Sequence, residues 1–321
     1  MPPFSNFNTL KIQDAHDIAS CATLASLLEV SAYPKPGNVH RTQDFPGTSF
    51  EHFLAAGVAI YPALLEAAQA TIEGKYPRER ENLLGETILQ AARRTHIWQR
   101  GGNVNFGEIL LFTPLVIGAA ACVRDGNFSI THFRAEANKA TSLGTVLDGV
   151  MVYQAFQVVN PGNMGSRDRY DVTNPHAIEE IREDNMTFRD LFLLNNGTDD
   201  ISEEVTDNFP RTFDESLPHL VEALNSSKNP NTAIVDTFLF LLANKPDSFI
   251  TRKVGAERAR EVQIRAQEVL ARGGMLAKGG ETAVWALDEK LQKEKGQLNP
   301  GTTADIVGAT LFVACLSGFR P

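Results

Sequence analysis

Residues 14–28 read Asp14-Ala-His-Asp-Ile-Ala-Ser-Cys-Ala-Thr-Leu-Ala-Ser-Leu-Leu28, and this stretch carries the pattern that decides the fold class. Its apolar residues recur at intervals of three and four, which places them on one face of a helix. Asp14 is suited to cap the start of that helix. The helix must end before Pro34, because proline cannot continue a helix and also restricts the residue before it. The apolar positions of this helix are Ile18, Cys21, Ala22, Ala25 and Leu28.

The helical period continues along most of the chain. Thr48-Ser-Phe-Glu51 is typical of a capping box that opens a second helix. Residues 152–159 fit a helical face, although this β-branched stretch also fits a strand. Alternating runs with tight hairpin turns are nearly absent, so the sequence predicts an all-α fold. Further helices are predicted at 85–98, 107–123, 132–143, 176–194, 215–225, 231–243, 255–272, 281–293 and 303–318.

The predicted organisation is a single globular helical domain over residues 1–321, because no internal repeat or low-complexity tract divides the chain. Residues 160–230 are more polar than the rest. We interpret them as an excursion of the same domain, either mobile or lid-like, and not as a second domain. The acidic residues of this excursion include Asp184, Asp190, Asp199, Asp200, Glu203 and Glu204.

The composition is that of an ordinary globular protein, with 43% hydrophobic residues in a chain of 321. With 39 acidic and 30 basic residues the formal net charge is −9, which argues against a nucleic-acid partner but allows a local basic pocket.

The three cysteines have no metal-binding spacing and indicate reduced, buried thiols in a cytoplasmic protein. The first residues lack the features of a secretory signal, and the longest apolar run, 109–123, is shorter than the about 20 residues of a membrane span. We therefore expect a soluble protein without a membrane partner.

Four polar segments rich in Gly and Pro supply the candidate binding residues, since the chain has no phosphate-binding loop, dinucleotide-binding motif or His-Glu-x-x-His. In the first segment, residues 34–37 form a stiff Pro-Lys-Pro-Gly loop that presents Lys35, Asn38, His40 and Arg41. Lys and Arg suit phosphate oxygens, and carboxylates suit Mg²⁺. The alternatives are a solvated loop for His40 and Arg41, and helix capping for Glu51.

The second segment is Gly101-Gly-Asn-Val-Asn-Phe-Gly107, which leads into the apolar helix. Glycines such as Gly101 let a ligand approach the backbone, and a helix N-terminus offers free N–H groups to an anion. Asn103 and Asn105 can add side-chain contacts. The alternative is an ordinary turn at the start of a helix.

The third and fourth segments each combine a carboxylate with an inter-helix loop. Asp247 and Arg252 lie between two predicted helices, where the spacing alone favours an exposed linker. Asn299-Pro-Gly-Thr-Thr-Ala-Asp305 opens the last helix, and an Asp in a first turn favours the helix dipole. The alternative for Asp305 is a metal ligand beside a phosphate bound by the same N–H groups.

Taken together, the four segments resemble the triphosphoribosyl-dephospho-CoA synthase family. A Glu followed by Pro-Lys-Pro-Gly is matched by Glu29 and residues 34–37, and Gly-x-Asn-x-x-x-Gly is matched by residues 101–107. The late Asp…Arg segment is similar to Asp247 and Arg252, and the closing Asn-Pro-Gly-x-x-Ala-Asp is similar to residues 299–305. The resemblance spans about residues 15–318.

Two departures are similar to a divergent, archaeal-type branch of that family. Bacterial members usually carry Asn-Thr-His-Lys-Gly where this chain has Asn-Val-Asn-Phe-Gly at residues 103–107. They also tend to have Gly-Leu-Val-Asp where this chain has Gly-Asn-Val-His at residues 37–40. The departures bear on the acceptor substrate more than on the donor.

The resemblance implies an enzyme that transfers the triphosphoribosyl group of ATP to the 2′-hydroxyl of 3′-dephospho-CoA and releases adenine, with Mg²⁺ as cofactor. Other interpretations are transfer to another acceptor, such as a pterin-type one-carbon cofactor intermediate, or a non-catalytic nucleotide-binding regulator. The sequence leaves the oligomeric state open, and a homo-oligomer is one of the possibilities.

The implied catalytic residues are Glu29, Glu51, Asp247 and Asp305, with Glu29, Glu51 and Asp305 also as metal ligands. The implied substrate-binding residues are Lys35, Asn38, His40, Arg41, Gly101, Asn103, Asn105, Arg252 and Gly301. We expect these segments to converge on one pocket, with Lys35 and Arg252 holding the phosphates of ATP.

Overall fold

The first helix begins and ends where its sequence predicts. In a computed structural model, which describes residues 7–162 and 167–321, α1 spans Ala15–Ser31. Asp14 caps it by accepting a hydrogen bond from the backbone N–H of Asp17 at 2.9 Å. Pro34 follows three residues after the last helical residue.

The rest of the described chain is also helical, and the prediction of an all-α fold is confirmed. The described ranges contain isolated β-bridges but no β-strand. Residues 152–159 belong to a helix, α7 (Val146–Val159), and not to a strand. The remaining helices are α2 (Phe50–Ala59), α3 (Tyr61–Ile72), α4 (Leu83–Trp98), α5 (Phe106–Asp125), α6 (Ile130–Leu143), α7 (Val146–Val159), α8 (Ala177–Glu183), α9 (Phe188–Leu193), α10 (Asp200–Thr206), a π-helical turn (Arg211–Ser216), α11 (Leu217–Ser227), α12 (Pro230–Asn244), α13 (Ser248–Val254), α14 (Ala256–Ala271), α15 (Gly280–Gln292) and α16 (Gly301–Leu316).

Two details of the predicted helices are wrong. The predicted helix at 176–194 is two helices, α8 and α9, because Asn185 between them has a positive φ of 54° that interrupts a right-handed helix. The capping box of α2 is shifted by one residue: Ser49 is the N-cap, and its backbone N–H donates to Nδ1 of His52 at 2.8 Å. The Thr48 hydroxyl donates instead to the carbonyl of Gly101 at 2.7 Å.

Helices α5 and α16 form the centre of the molecule. α5 packs against α3, α6 and α16, and α16 also packs against α1. Residues Phe50–Ile72 and Phe106–Asp125 are each long and apolar enough to cross a membrane, but the most apolar part of α5 is 89% buried within this structure. α5 is therefore the core helix of this fold. The three cysteines are buried and free, and burial raises the pKa of the Cys122 thiol to about 12.

The polar excursion forms short helices that are anchored by buried apolar residues, among them Ile181, Phe188 and Phe209. α9 packs against α7, and α10 packs against α5 and α9. Residues 163–166 lie outside the described residues. The mobility of the excursion and the single-domain organisation stay predictions.

We predict that the buried carboxyl group of Glu204, on α10, lowers the free energy of unfolding as the pH rises through neutrality. Burial raises its pKa from 4.5 to about 7, although it accepts hydrogen bonds from the backbone N–H groups of Arg211 and Thr212. Between these two values the folded state binds more protons than the unfolded state, so raising the pH across this range costs about 3 kcal/mol from this group. Urea unfolding from pH 5 to 8 should show a shallower loss of stability in Glu204→Gln. An unchanged slope in the variant would contradict this assignment.

Candidate active site

One cavity of about 230 Å³ brings together Glu29 and residues from all four predicted segments. Its walls come from α1, α2, α5, α7, α9, α10, α13, α16 and the loops that precede several of them. The first turns of α5 and α16 both face the cavity, and the free N–H groups of a helix N-terminus favour an anion. The predicted site residues that line it are Glu29, Asn38, Asn103, Asn105, Arg252, Gly301 and Asp305.

Five acidic residues line this cavity, and three of them, on three different helices, are Glu29, Glu108 and Asp305, which we refer to as the carboxylate wall. Glu29 lies in the last turn of α1, Glu108 in the first turn of α5 and Asp305 in the second turn of α16. The backbone N–H of Glu108 donates to Oδ1 of Asp305 at 3.1 Å. At Gly107 the Asp305 carboxylate occupies the place of a side chain, so a Cβ there would overlap it. A glycine is therefore required for α5 and α16 to approach so closely.

The carboxylate wall carries more negative charge than its neighbours compensate. Burial raises the pKa of Glu108 well above its usual range, and the charge of Glu29 adds to the shift. Burial also raises the pKa of Asp305 well above its usual range, again with a contribution from Glu29. Both Glu108 carboxylate oxygens are buried without a hydrogen-bond partner among the described residues. A buried, unpartnered carboxylate is costly, so this wall favours the arrival of a positive charge.

Lys35 lies behind the carboxylate wall as the partner of Glu29 and does not line the cavity, so the structure places it away from a phosphate bound there. Its ammonium group donates to Oε1 of Glu29, and the Lys35 side chain is 0% exposed. Burial raises the pKa of Glu29, and the Lys35 charge opposes that rise. The Pro-Lys-Pro-Gly loop therefore turns its lysine inward onto a carboxylate instead of outward to a ligand.

Helix α15 holds this loop in place through Asp288. The Asp288 carboxylate accepts hydrogen bonds from the backbone N–H of Gly37 at 3.0 Å and from Nε2 of His40 at 3.2 Å. His40 is fully buried and its Nδ1 lies 3.1 Å from the Thr42 hydroxyl. The His40 imidazole therefore fixes the loop from behind and lies outside the cavity, and its ligand-binding role stays a prediction.

Arg41 is exposed and lies outside the cavity, so the structure does not place it with the other predicted substrate-binding residues. Its Nε donates to the carbonyl of Ser31 at 2.7 Å, and its guanidinium lies 5.0 Å from the ring centroid of Tyr33. Of the loop residues 34–41, Asn38 is the one that reaches the cavity. The backbone carbonyl of Asn38 accepts a hydrogen bond from Nε2 of Gln292 at 2.8 Å, and this contact holds Asn38 in place.

Glu51 and Gly101 also lie away from the cavity. Glu51 is exposed in the first turn of α2, and a hydrogen bond from Ser49 lowers the pKa of its carboxyl group. It lies in the first turn of α2 and not with the other candidate carboxylates, and its catalytic and metal-binding roles stay predictions. Gly101 packs against the ring of His52, where a Cβ would overlap, so this glycine permits packing and not ligand approach.

Asp247 is next to the site but is fully occupied by structural hydrogen bonds. It caps α13 by accepting from Ile250 N at 3.0 Å, and its Oδ2 accepts from the backbone N–H and hydroxyl of Thr303, both at 2.8 Å. It is fully buried and does not line the cavity. Asp247 therefore fixes the start of α16 and thereby the position of Asp305, and its catalytic role stays a prediction.

The amide residues of the second segment do line the cavity. Asn105 is the N-cap of α5, has a positive φ of 59°, and donates from Nδ2 to the Ser26 hydroxyl on α1 at 2.7 Å. Asn103 lies two residues earlier and contributes to the same wall. The predicted convergence on one pocket of Glu29, the 34–41 loop, Asn103, Asp247 and Asp305 therefore holds for Glu29, Asn38 of the loop, Asn103 and Asp305, whereas Asp247 lies beside the cavity without lining it.

Sequence reasoning missed several residues of the cavity. Glu108 could have been found as the one charged residue that opens an otherwise apolar helix, but an acidic residue in a first turn also has an ordinary explanation. The outer part of the cavity comes from the polar excursion, whose residues carry no motif. These additional lining residues include Arg167, Tyr170, Asp171, Asn195 and Asp199.

The comparisons with known proteins agree with the resemblance seen in the sequence. The profile of the family described as ATP:dephospho-CoA triphosphoribosyl transferase matches residues 15–320. The chain therefore belongs to this family of transferases, for which ATP is a substrate.

Relatives from bacteria and an archaeon cover most of the chain. A Vibrio cholerae protein named "Probable 2-(5''-triphosphoribosyl)-3'-dephosphocoenzyme-A synthase" is 32% identical over 90% of this chain and 84% of its own. A Pseudomonas syringae pv. tomato protein of the same name is 24% identical over 93% of this chain and 91% of its own. The crystal structure of a "putative triphosphoribosyl-dephospho-coA synthase" from Archaeoglobus fulgidus superimposes with a TM-score of 0.63 at 25% identity, covering 83% of this chain and 100% of that chain.

Proposed function

We propose that this chain transfers the triphosphoribosyl group of ATP to the 2′-hydroxyl of 3′-dephospho-CoA. The bond between C1′ and N9 of ATP breaks, and a bond forms between C1′ and the acceptor oxygen. The hydroxyl proton passes to a base, and adenine takes up a proton as it leaves. The observation that carries this proposal is the carboxylate wall facing a cavity in a chain of this family.

A triphosphate cannot approach the carboxylate wall without a cation, because like charges repel in a partly buried site. The unpartnered oxygens of Glu108 and the raised pKa values of Glu108 and Asp305 fit a site that receives Mg²⁺. Within the described residues, no three His, Cys, Asp or Glu side chains form a ready-made metal cluster. Mg²⁺ is usually held by one or two carboxylates together with substrate phosphates and water. One or two of Glu29, Glu108 and Asp305 would hold it, and it would neutralise phosphate charge.

The carboxylate wall also suits the charge that develops during the reaction. Positive charge builds on the ribose as the C1′–N9 bond breaks, and nearby carboxylates stabilise it. The acceptor hydroxyl needs a base, a role that contributes about 10²–10⁴-fold in rate. Each carboxylate of the wall is a candidate for that base.

The remaining walls of the cavity offer complementary binding surfaces. Phe106 and Phe156 meet edge to face with ring centroids 4.8 Å apart and provide an aromatic surface for the adenine base. Asn103 and Asn105 would orient ribose hydroxyls or phosphate oxygens. Arg252 lines the cavity as well, but it is already ion-paired with Asp199.

Product analysis tests the proposal. The chain is incubated with Mg-ATP and dephospho-CoA, and adenine and the CoA-linked product are quantified by chromatography and mass spectrometry. We expect the two products in equal amounts, and none when EDTA removes the metal. If adenine is released only when a pterin-type acceptor replaces dephospho-CoA, ATP stands as the donor and dephospho-CoA is refuted as the acceptor. ATP binding without adenine release under any condition would favour a nucleotide-binding regulator.

A further inference from the structure

One arginine of the cavity is not ion-paired with a carboxylate among the described residues. Arg167 and Arg252 are the arginines that line it within residues 7–162 and 167–321. Arg252 is ion-paired with Asp199, whereas the Arg167 guanidinium makes no ion pair in this part of the chain. Nη2 of Arg167 donates to two neutral acceptors, the carbonyl of Leu194 at 2.9 Å and Oδ1 of Asn195 at 2.5 Å. These contacts hold the side chain and leave its positive charge available.

The backbone that carries this arginine is anchored to the helices around it. The Arg167 N–H donates to Oδ2 of Asp171 at 2.9 Å, and Oδ1 of Asp171 accepts from the backbone N–H of Thr173 at 2.8 Å. The carbonyl of Tyr170 accepts from the hydroxyl of Tyr153 on α7 at 2.7 Å. Hydrogen bonds from Thr173 and from the Arg167 N–H, and least of all the Arg167 charge, lower the pKa of the Asp171 carboxyl group, so this carboxylate is used chiefly by the loop itself. The loop presents Arg167 to the cavity on a fixed base.

We propose that Arg167 binds the phosphoryl oxygens of a substrate and forms a second anion-binding element of the cavity, supplied by the polar excursion. The proposal rests on the proposed function, since both of its substrates carry phosphate chains: the triphosphate of ATP and the diphosphate of dephospho-CoA. A guanidinium binds phosphate oxygens through two parallel hydrogen bonds, which a lysine cannot reproduce. The carboxylate wall reaches phosphate only through a metal ion, whereas Arg167 needs none.

Calorimetric titration of each substrate alone tests this proposal without turnover. The probes are Mg-ATP, dephospho-CoA and magnesium tripolyphosphate, and the variants are Arg167→Gln and Arg167→Lys. The matched control is Arg169→Gln, because Arg169 lies in the same loop but is paired with Asp184 and does not line the cavity. We expect Arg167→Gln to raise the Kd of at least one probe about 10- to 100-fold, Arg167→Lys to raise it less, and the control to leave it unchanged.

The pattern of the effect identifies the phosphate chain. Weaker binding of Mg-ATP and tripolyphosphate assigns Arg167 to the donor, and weaker binding of dephospho-CoA assigns it to the acceptor. Kd values within about twofold of the unaltered chain for all three probes would overturn the proposal, as would an unaltered chain that binds none of them. Binding that depends on Arg167 without adenine release would leave this inference standing and refute the proposed function. If the Arg167→Gln variant does not fold, the Kd values of the Arg167→Lys variant decide the test.

Discussion

Replacing Asp305 by Asn is expected to lower the rate of adenine release by about 10³-fold, because the variant removes a carboxylate that would hold the metal or act as base. The same change is expected to leave the melting temperature unchanged or to raise it. Asp305 lies beside Glu29, whose charge raises its pKa, so a neutral amide relieves repulsion in the folded state. Loss of activity without loss of stability distinguishes a functional carboxylate from a structural one. Initial rates of adenine release and thermal unfolding measure the two effects.

Asp125→Asn is a matched control for this experiment. Asp125 is paired with Arg124 on the surface at the end of α5 and does not line the cavity. We expect its activity to equal that of the unaltered chain. Activity in Asp305→Asn within about tenfold of the unaltered chain would contradict the proposed role of Asp305.

Replacing Lys35 by Ala is expected to destabilise the fold by about 3–5 kcal/mol, the usual cost of leaving one member of a buried ion pair without its partner. Glu29 can escape part of this cost by taking up a proton, and its pKa is already raised by burial. The destabilisation should therefore be larger at pH 8 than at pH 5.5. Urea unfolding at the two pH values measures it.

The double variant Glu29→Gln/Lys35→Met provides the control, because it removes both charges of the pair. We expect it to be more stable than Lys35→Ala. A Lys35→Ala variant that unfolds like the unaltered chain but binds Mg-ATP much more weakly would contradict the buried pair and restore Lys35 as a phosphate ligand.

Much of the fold was predictable because helical periodicity is local information. The predicted bounds of α4, α5, α12 and α15 differ from the observed ones by two residues or fewer. The misses have local physical causes, such as the left-handed backbone at Asn185 that separates α8 from α9. The short helix α13 was interpreted as a linker because its seven residues show too little of a period to recognise.

The site was predictable where a motif places a residue at the start or end of a central helix. Glu29, Asn103 and Asp305 are such residues, and they line one cavity. The interpretation failed where a side chain's role depends on a partner that is remote in sequence. Nothing near His40 indicates that its imidazole meets Asp288, 248 residues further along the chain.

Arg167 and Glu108 escaped notice for different reasons. Arg167 lies in a polar stretch in which composition does not separate a site from a solvated surface. Glu108 follows the glycine that the motif contains, but only the packing of α16 against α5 shows that its carboxylate is buried beside Asp305. Tertiary contacts, and not propensity, determine both environments.

The most direct test of the carboxylate wall is the position of a bound metal. Crystals grown with Mn²⁺ and ATP would locate the ion by its anomalous scattering, since Mn²⁺ takes the same oxygen ligands as Mg²⁺. We predict a metal ion contacting Glu29, Glu108 or Asp305 and the triphosphate, inside the cavity. A metal–ATP complex bound elsewhere, with the carboxylate wall free of both, would contradict the account.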